Sequence, residues 1–303
     1  MRARLFLLPL ALAAGGTGCS YFSNGAYPPV QHALGDSVVV FGADSLHAIR
    51  NDRFEVYGPT AASVAAVRDD LDHSTREFRR YFGIYAPLFA VVLFDTPEKS
   101  QSFDPTALRN RGLRVVRIAR PARSEGRSLR DDNAERWPVS RRAAVVMLGG
   151  WASRKRAADS SDAESRLPVW YRQAVTGLTA APQGYEGRGG FLSRVGSSET
   201  IPLVEIFASK SALADSVNQT EMDGPDPSQP RERSRSLLFS SEARSVAQYL
   251  AEKEGPEFIG AIGEKLLAGQ SMETILQQSR VVPKDIPALE AVWRAWMRTE
   301  DRR

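Results

Sequence analysis

The sequence predicts an α+β fold, and three observations predict it. Short β-type runs are confined to the N-terminal part, one long amphipathic helical pattern interrupts them, and the C-terminal part is dominated by 3.6-residue periodicity. The first run is Val38, Val39, Val40 and Phe41. A second, 53–57, alternates in character and stops at Gly58-Pro59, as a strand does at a turn. Residues 60–82 then place Val64, Val67, Leu71, Phe78 and Phe82 on one stripe, and Gly83 follows as a helix stop. The run 88–94 is continuously apolar, the pattern of a strand buried on both faces. Asp95 and Glu98 form a capping pair around Pro97 for a short helix. Residues 114–119 are the last strand candidate.

Beyond Pro182 the chain changes character. The glycine-rich stretch 184–196 reads as a loop, and 223–235, with three prolines and many charges, as a mobile surface excursion. Helical patterning returns at 237–254, with Leu238, Ala243, Val246, Tyr249 and Leu250 near one face and Gly255-Pro256 as the stop. Phe258, Ile259, Ile262, Leu266 and Leu267 mark the next helix, ended by Gly269. Ser271 caps a short helix through Gln278. The last helix carries Leu289, Val292, Trp293, Trp296 and Met297, with the tryptophans as core anchors.

The N-terminus reads as a targeting segment. Arg2 and Arg4 precede an apolar run at 5–14 that is too short to span a bilayer, and small residues lead to Cys19, the one cysteine. Gly16, Thr17, Gly18 and Cys19 resemble a bacterial lipobox, with Gly16 in the place usually held by leucine. The organisation expected is a signal peptide at 1–18, a lipidated tether at 19–36 and a domain at 37–303. That domain has an α+β part at 37–182 and a helical part at 183–303. A secreted protein with a free thiol is the alternative. Either way one cysteine forms no intrachain disulfide. Cleavage after residue 18 takes two of the 40 basic residues and none of the 36 acidic ones, leaving 38 against 36. That balance excludes a nucleic-acid partner of the basic-face kind. The basic residues between Arg109 and Arg130 are interleaved or flanked by Glu125, Asp131 and Asp132, as on a solvated loop.

The middle of the chain carries the functional information. Residues 167–174, Leu-Pro-Val-Trp-Tyr-Arg-Gln-Ala, follow a helical segment at 141–154. The C-terminal part adds a Tyr249-Leu250 pair before Gly255-Pro256 and a closing Trp293-x-x-Trp296. In this order the parts resemble the gluzincin-type, peptidase MA-like zinc metallopeptidases, a group with many lipid-anchored or secreted bacterial members. The 167–174 segment is similar to that family's Pro-x-Trp-x-x-Glu-Gly helix. The resemblance implies a His-Glu-x-x-His helix, with two imidazoles one turn apart on zinc and the glutamate as general base, and a further glutamate on the next helix.

None of those groups stands here. Gln173 occupies the third-ligand position, and in the matching register Gly150 and Arg154 replace the histidines and Trp151 the base. No histidine lies beyond His73. Zinc takes Cys, His or carboxylate donors, and a fixed guanidinium at Arg154 repels a cation. The resemblance therefore implies an inactive descendant without metal or other cofactor. Gly150, Trp151, Arg154, Trp170, Tyr171 and Gln173 are expected to line a remodelled cleft that binds a peptide or glycan, or to fill the space the lost site leaves. A buried Arg154 would need Asp159, Asp162, Glu164 or Glu205 as a partner. The membrane, through the lipid, and an envelope protein are the other expected partners.

The rest of the chain offers no replacement site. His32 lies in the tether, His47 stands beside Asp44, and His73 sits with Asp69, Asp70 and Asp72 on what reads as a solvated helix face. There is no Gly-x-Ser-x-Gly elbow, and Gly187-Arg188-Gly189-Gly190 lacks the lysine of a phosphate loop. A hydrolase using a carboxylate pair among Glu164, Glu205 and Glu242 is the enzymatic alternative. An assembly lipoprotein with an idle cleft is the structural one.

Overall fold

The structure is a computed structural model and describes residues 34–41, 44–119, 132–155, 166–180, 200–209 and 230–300. It is an α+β architecture: an N-terminal five-stranded mixed sheet with packed helices, followed by a helical part. The strands are β1 (Leu34–Phe41), β2 (Asp44–Arg50), β3 (Phe54–Gly58), β4 (Phe89–Phe94) and β5 (Arg114–Ala119), in that spatial order. β1, β2 and β3 form an antiparallel meander, while β3, β4 and β5 run parallel. At the β2–β3 connection the Asn51 side-chain oxygen accepts from the N–H groups of Arg53 and Phe54, closing a tight turn.

A parallel pair needs a crossover, and α1 (Ala61–Phe82) supplies the one between β3 and β4. Its start is a capping box: Thr60 Oγ1 accepts from Ser63 N–H, and Ser63 Oγ accepts from Thr60 N–H. Gly83 ends it in the left-handed region, at φ 70°, donating its N–H to the Arg79 carbonyl. The expected stripe faces inward, except that Phe82 is half-buried. The second crossover holds α2 (Pro97–Ser102) and α3 (Thr106–Arg109). The cap of α2 is Thr96, whose hydroxyl accepts from Lys99 N–H, and not Asp95, because the shorter hydroxyl side chain sits directly before Pro97.

Side chains alternate across the sheet with period two. Phe54, Val56, Val91 and Val116 join the main core beneath α1, whereas Tyr57, Ala90 and Val92 join a smaller core with Phe94, Phe103 and Leu108. On that second face Glu55 is buried yet satisfied. Arg111 grips both of its carboxylate oxygens, and Tyr57 donates its hydroxyl at 2.5 Å. Arg50 Nε donates in turn to the Tyr57 oxygen at 3.2 Å. Burial, reinforced by Glu55, raises the Tyr57 pKa.

The helical part comprises α4 (Asp132–Lys155), α5 (Val169–Thr179), α6 (Leu203–Ala208), α7 (Pro230–Glu254), α8 (Phe258–Leu267), α9 (Met272–Gln277) and α10 (Ile286–Glu300). α7 begins at Pro230, inside the stretch expected to be an excursion; proline is well suited to a helix's first position, so the helix starts there and not at 237. Residues 184–196 and 223–229, the lipobox and Cys19 lie outside the described residues. In α10 Leu289, Trp293 and Met297 are buried, but Val292 points outward because the three-to-four-residue stripe passes it by. One hydrophobic cluster runs from the sheet through α1, α4 and α5 into α7, α8, α9 and α10.

The connection from α9 to α10 is pinned by a single carboxylate. Glu254 accepts from Ser279 Oγ and from the N–H groups of Arg280, Val281 and Val282. Burial alone would raise its pKa, but these four donors outweigh that and lower it. A lowered folded-state pKa contributes stability that is present above the unfolded value of 4.5 and is lost as pH falls through the folded one. Glu254→Gln is therefore expected to cost about 1 kcal/mol at neutral pH. In urea unfolding, the gap to the wild type should hold constant from pH 7 to about pH 5 and close below about pH 4.

Candidate functional site

The helix pair expected to carry the site is present, and α4 and α5 pack directly against each other. Along α4, Ala144, Met147, Leu148 and Trp151 recur at helical spacing and are all buried. α5 follows Pro168, whose fixed φ prepares the first turn, and is buried on nearly every side by α1, α4 and α7. Within α5 only Arg172 is partly exposed; every other residue of the helix is buried.

Each expected site residue has a definite place. Gly150 lies against Pro87, close enough that a Cβ there would come within 2.8 Å of the Pro87 ring. Trp151 is 1% exposed and meets Phe82 edge-on at 4.8 Å between ring centroids. Trp170 is equally buried, packed edge-to-face on Phe207 of α6 at 4.8 Å and on Tyr171 at 5.6 Å. Tyr171 donates its hydroxyl to the Ile259 carbonyl of α8 at 2.8 Å. Burial, with Glu264 adding to it, holds its pKa well above the ordinary tyrosine value.

Trp151 and Tyr171 converge on one point, Gly263. A Cβ on Gly263 would lie 2.8 Å from the Trp151 ring and closer still to the Tyr171 hydroxyl. Trp170 joins this group through Tyr171. Gln173 does not. Its side-chain oxygen accepts from Arg141 Nη2 at 2.6 Å and from Ser240 Oγ at 3.3 Å, tying α5 to α4 and α7. Arg154 is also apart: it is exposed in the last turn of α4, where the helix ends at Lys155. Of its expected partners, Glu205 is exposed at the start of α6, and Asp159, Asp162 and Glu164 lie outside the described residues.

Of the side chains expected to line a groove or fill a space, Trp151, Trp170, Tyr171 and Gln173 are thus packed among themselves and their neighbours. The carboxylate pair expected for a hydrolase is separated in environment, with Glu205 exposed and Glu242 fully buried. Both Glu242 oxygens accept from Ile201 N–H, at 3.0 and 3.2 Å, and burial pushes its pKa up to about 8. Asp70 corrects an expectation. It is buried on α1, while Asp69 is exposed, so the acidic cluster around His73 is not one solvated face. Among the described residues, no three His, Cys, Asp or Glu side chains converge on a common point.

Sequence reasoning missed Arg141, Ser240, Ile259 and Gly263. Arg141 had a signal, because it falls in register with Ala144, Leu148 and Trp151 and so interrupts a buried stripe with a charge. Gly260 and Gly263 had one as well: small residues three apart on one helix mark a close approach, here to Tyr81 and to Tyr171.

Gly263→Ala is expected to destabilise the fold by about 1–3 kcal/mol, since a methyl group must displace two buried rings. Tyr171→Phe should cost about 1 kcal/mol for the lost hydrogen bond. Combined, the two should cost less than the sum of the separate effects, because the Tyr171→Phe chain lacks the hydroxyl that the new methyl strikes. A double-mutant cycle in urea measures that coupling, and strict additivity would contradict the packing described.

No protein-family model, curated protein or solved structure matches the chain.

Proposed function

We propose that this protein is a lipid-anchored, non-catalytic component of a bacterial envelope, in which a peptidase-like helix pair has become structural core and the outer surface does the work. The observation that carries this reading is the burial of Trp151, Trp170 and Tyr171 at the position where a catalytic cleft would lie. A metallopeptidase needs an open coordination position and a path for substrate. Three aromatic rings and a glycine contact occupy that volume.

The chemistry of the surviving side chains supports the same reading. Gln173 offers a neutral amide oxygen, and that oxygen is already engaged by a guanidinium and a hydroxyl. A zinc ion entering there would meet the positive charge of Arg141. Anchoring rests on Arg2, Arg4, the apolar run and Cys19. Among the described residues no helix is long and apolar enough to cross a membrane.

Binding of a peptide or glycan at the helix pair is the second reading, and one contact favours it. Trp170 is covered by Phe207 from a six-residue helix, a small element to displace.

Two experiments test the proposal. Protein purified without chelators is expected to contain far less than one zinc per chain and to leave peptide libraries uncut; stoichiometric zinc together with chelator-sensitive cleavage would overturn it. In a bacterial host, the wild-type chain should incorporate labelled fatty acid and sediment with membranes. Cys19→Ser should do neither, and membrane retention of an unacylated Cys19→Ser chain would contradict the anchor.

A further inference from the structure

Glu242 is a fully buried carboxylate on α7, and the proposed function does not use it. It belongs to an arrangement of two acids from different helices that hold one short segment by its backbone. Glu242 of α7 accepts from Ile201 N–H, and Glu290 of α10 accepts from Leu203 N–H at 2.9 Å. The segment so held is the start of α6, whose Phe207 covers the Trp170 ring. Ile201, Leu203 and Ile206 are buried beneath it, while Val204 and Glu205 face solvent.

We propose that Glu242 and Glu290 form a proton-operated latch that keeps α6, and with it Phe207, closed over Trp170. The inference stands apart from the anchoring and the loss of catalysis, because it needs only the α6–α7–α10 geometry. The two acids differ in setting. Glu290 is paired with Arg294, one turn further along α10, at 2.5 Å and is partly exposed. Glu242 has no such pairing among the described residues, and one backbone N–H serves both of its oxygens.

The charged groups around Glu242 fix the direction of the response. Burial acts first and outweighs the rest, favouring the neutral acid; the Ile201 N–H and then Arg294 oppose it, and Glu290 reinforces it. From α6, Glu205 is turned outward. From α5, the titratable groups are Arg172 and Tyr171, and the Tyr171 hydroxyl is committed to Ile259. On α7 itself, the Arg244 side chain lies over Gly177. With a pKa near 8 when closed and 4.5 in water, Glu242 holds its proton in the closed state and releases it on opening. Closure is therefore strongest at acidic pH and weakens as pH rises toward about 8, by up to about tenfold per pH unit, levelling off above.

Hydrogen exchange of the 203–208 amides in the full chain tests this, after correction for the intrinsic pH dependence of exchange. Wild-type protection is expected to fall between about pH 5 and about pH 8 and then to flatten. Glu242→Gln keeps a hydrogen-bonding side chain of the same shape without a titrating proton, and its profile should be flat. Glu290→Gln removes the repelling charge and frees Arg294, so its fall should end, and the profile flatten, at lower pH than in the wild type. A flat wild-type profile would overturn the latch, and so would an equal slope in Glu242→Gln. If Glu242→Gln does not fold, Glu290→Gln decides alone: a displaced fall supports the latch, and an unmoved one overturns it.

Discussion

The packing of Tyr171 is the constraint on which the rest of this structure depends. Its ring stands beside Trp151 and Trp170, its hydroxyl reaches the Ile259 carbonyl, and its edge meets Gly263 where no side chain intervenes. Four elements are fixed relative to one another by that residue and its neighbours. α5 carries it, α4 supplies Trp151, α8 supplies both the carbonyl and the glycine, and α1 closes the group through Phe82. A buried tyrosine must satisfy its hydroxyl, so the geometry is set by a directional bond as well as by shape. The same demand explains why the volume between α4, α5 and α8 is filled: Trp151 and the Tyr171 ring pack onto Gly263 with no side chain between them.

Polar groups inside the fold are handled by three different devices. Gln173 is satisfied by a guanidinium from one helix and a hydroxyl from another, a bridge that costs no buried net charge on the glutamine itself. Glu55 is ionically paired with Arg111, within reach of solvent on the arginine side. Glu242 is left to the backbone and is shifted toward its neutral form. These choices matter because a buried carboxylate pushed up to about 8 responds to ordinary changes of external pH, whereas the amide of Gln173 carries no titrating proton.

Much of the scaffold was legible in the sequence, for physical reasons that can be named. The long helix announces itself through Thr60, a continuous apolar stripe and Gly83, three signals that agree. The strand at β4 is recognisable because burial on both faces removes the need for alternation. β2 was missed. Its sequence, Asp-Ser-Leu-His-Ala-Ile-Arg, is too polar to stand out, and it is fixed by pairing with β1 and β3 more than by its own propensity. At the candidate site, Gln173 and the absence of histidine beyond His73 are plain from the sequence. What one sequence does not encode locally is whether Trp151 and Trp170 flank a groove or a core. That depends on α6 and α8, which lie far along the chain.

The central claim is that the helix pair of α4 and α5 is closed interior. Hydroxyl-radical footprinting of the native protein, read residue by residue in a mass spectrometer, tests it most directly. Trp151, Trp170 and Tyr171 are expected to remain essentially unoxidised until the chain unfolds, while the partly exposed Trp296 reacts in the folded state. Oxidation of Trp151 or Tyr171 in folded protein at the rate of Trp296 would mean that water reaches the space between α4 and α5, and the account would fail.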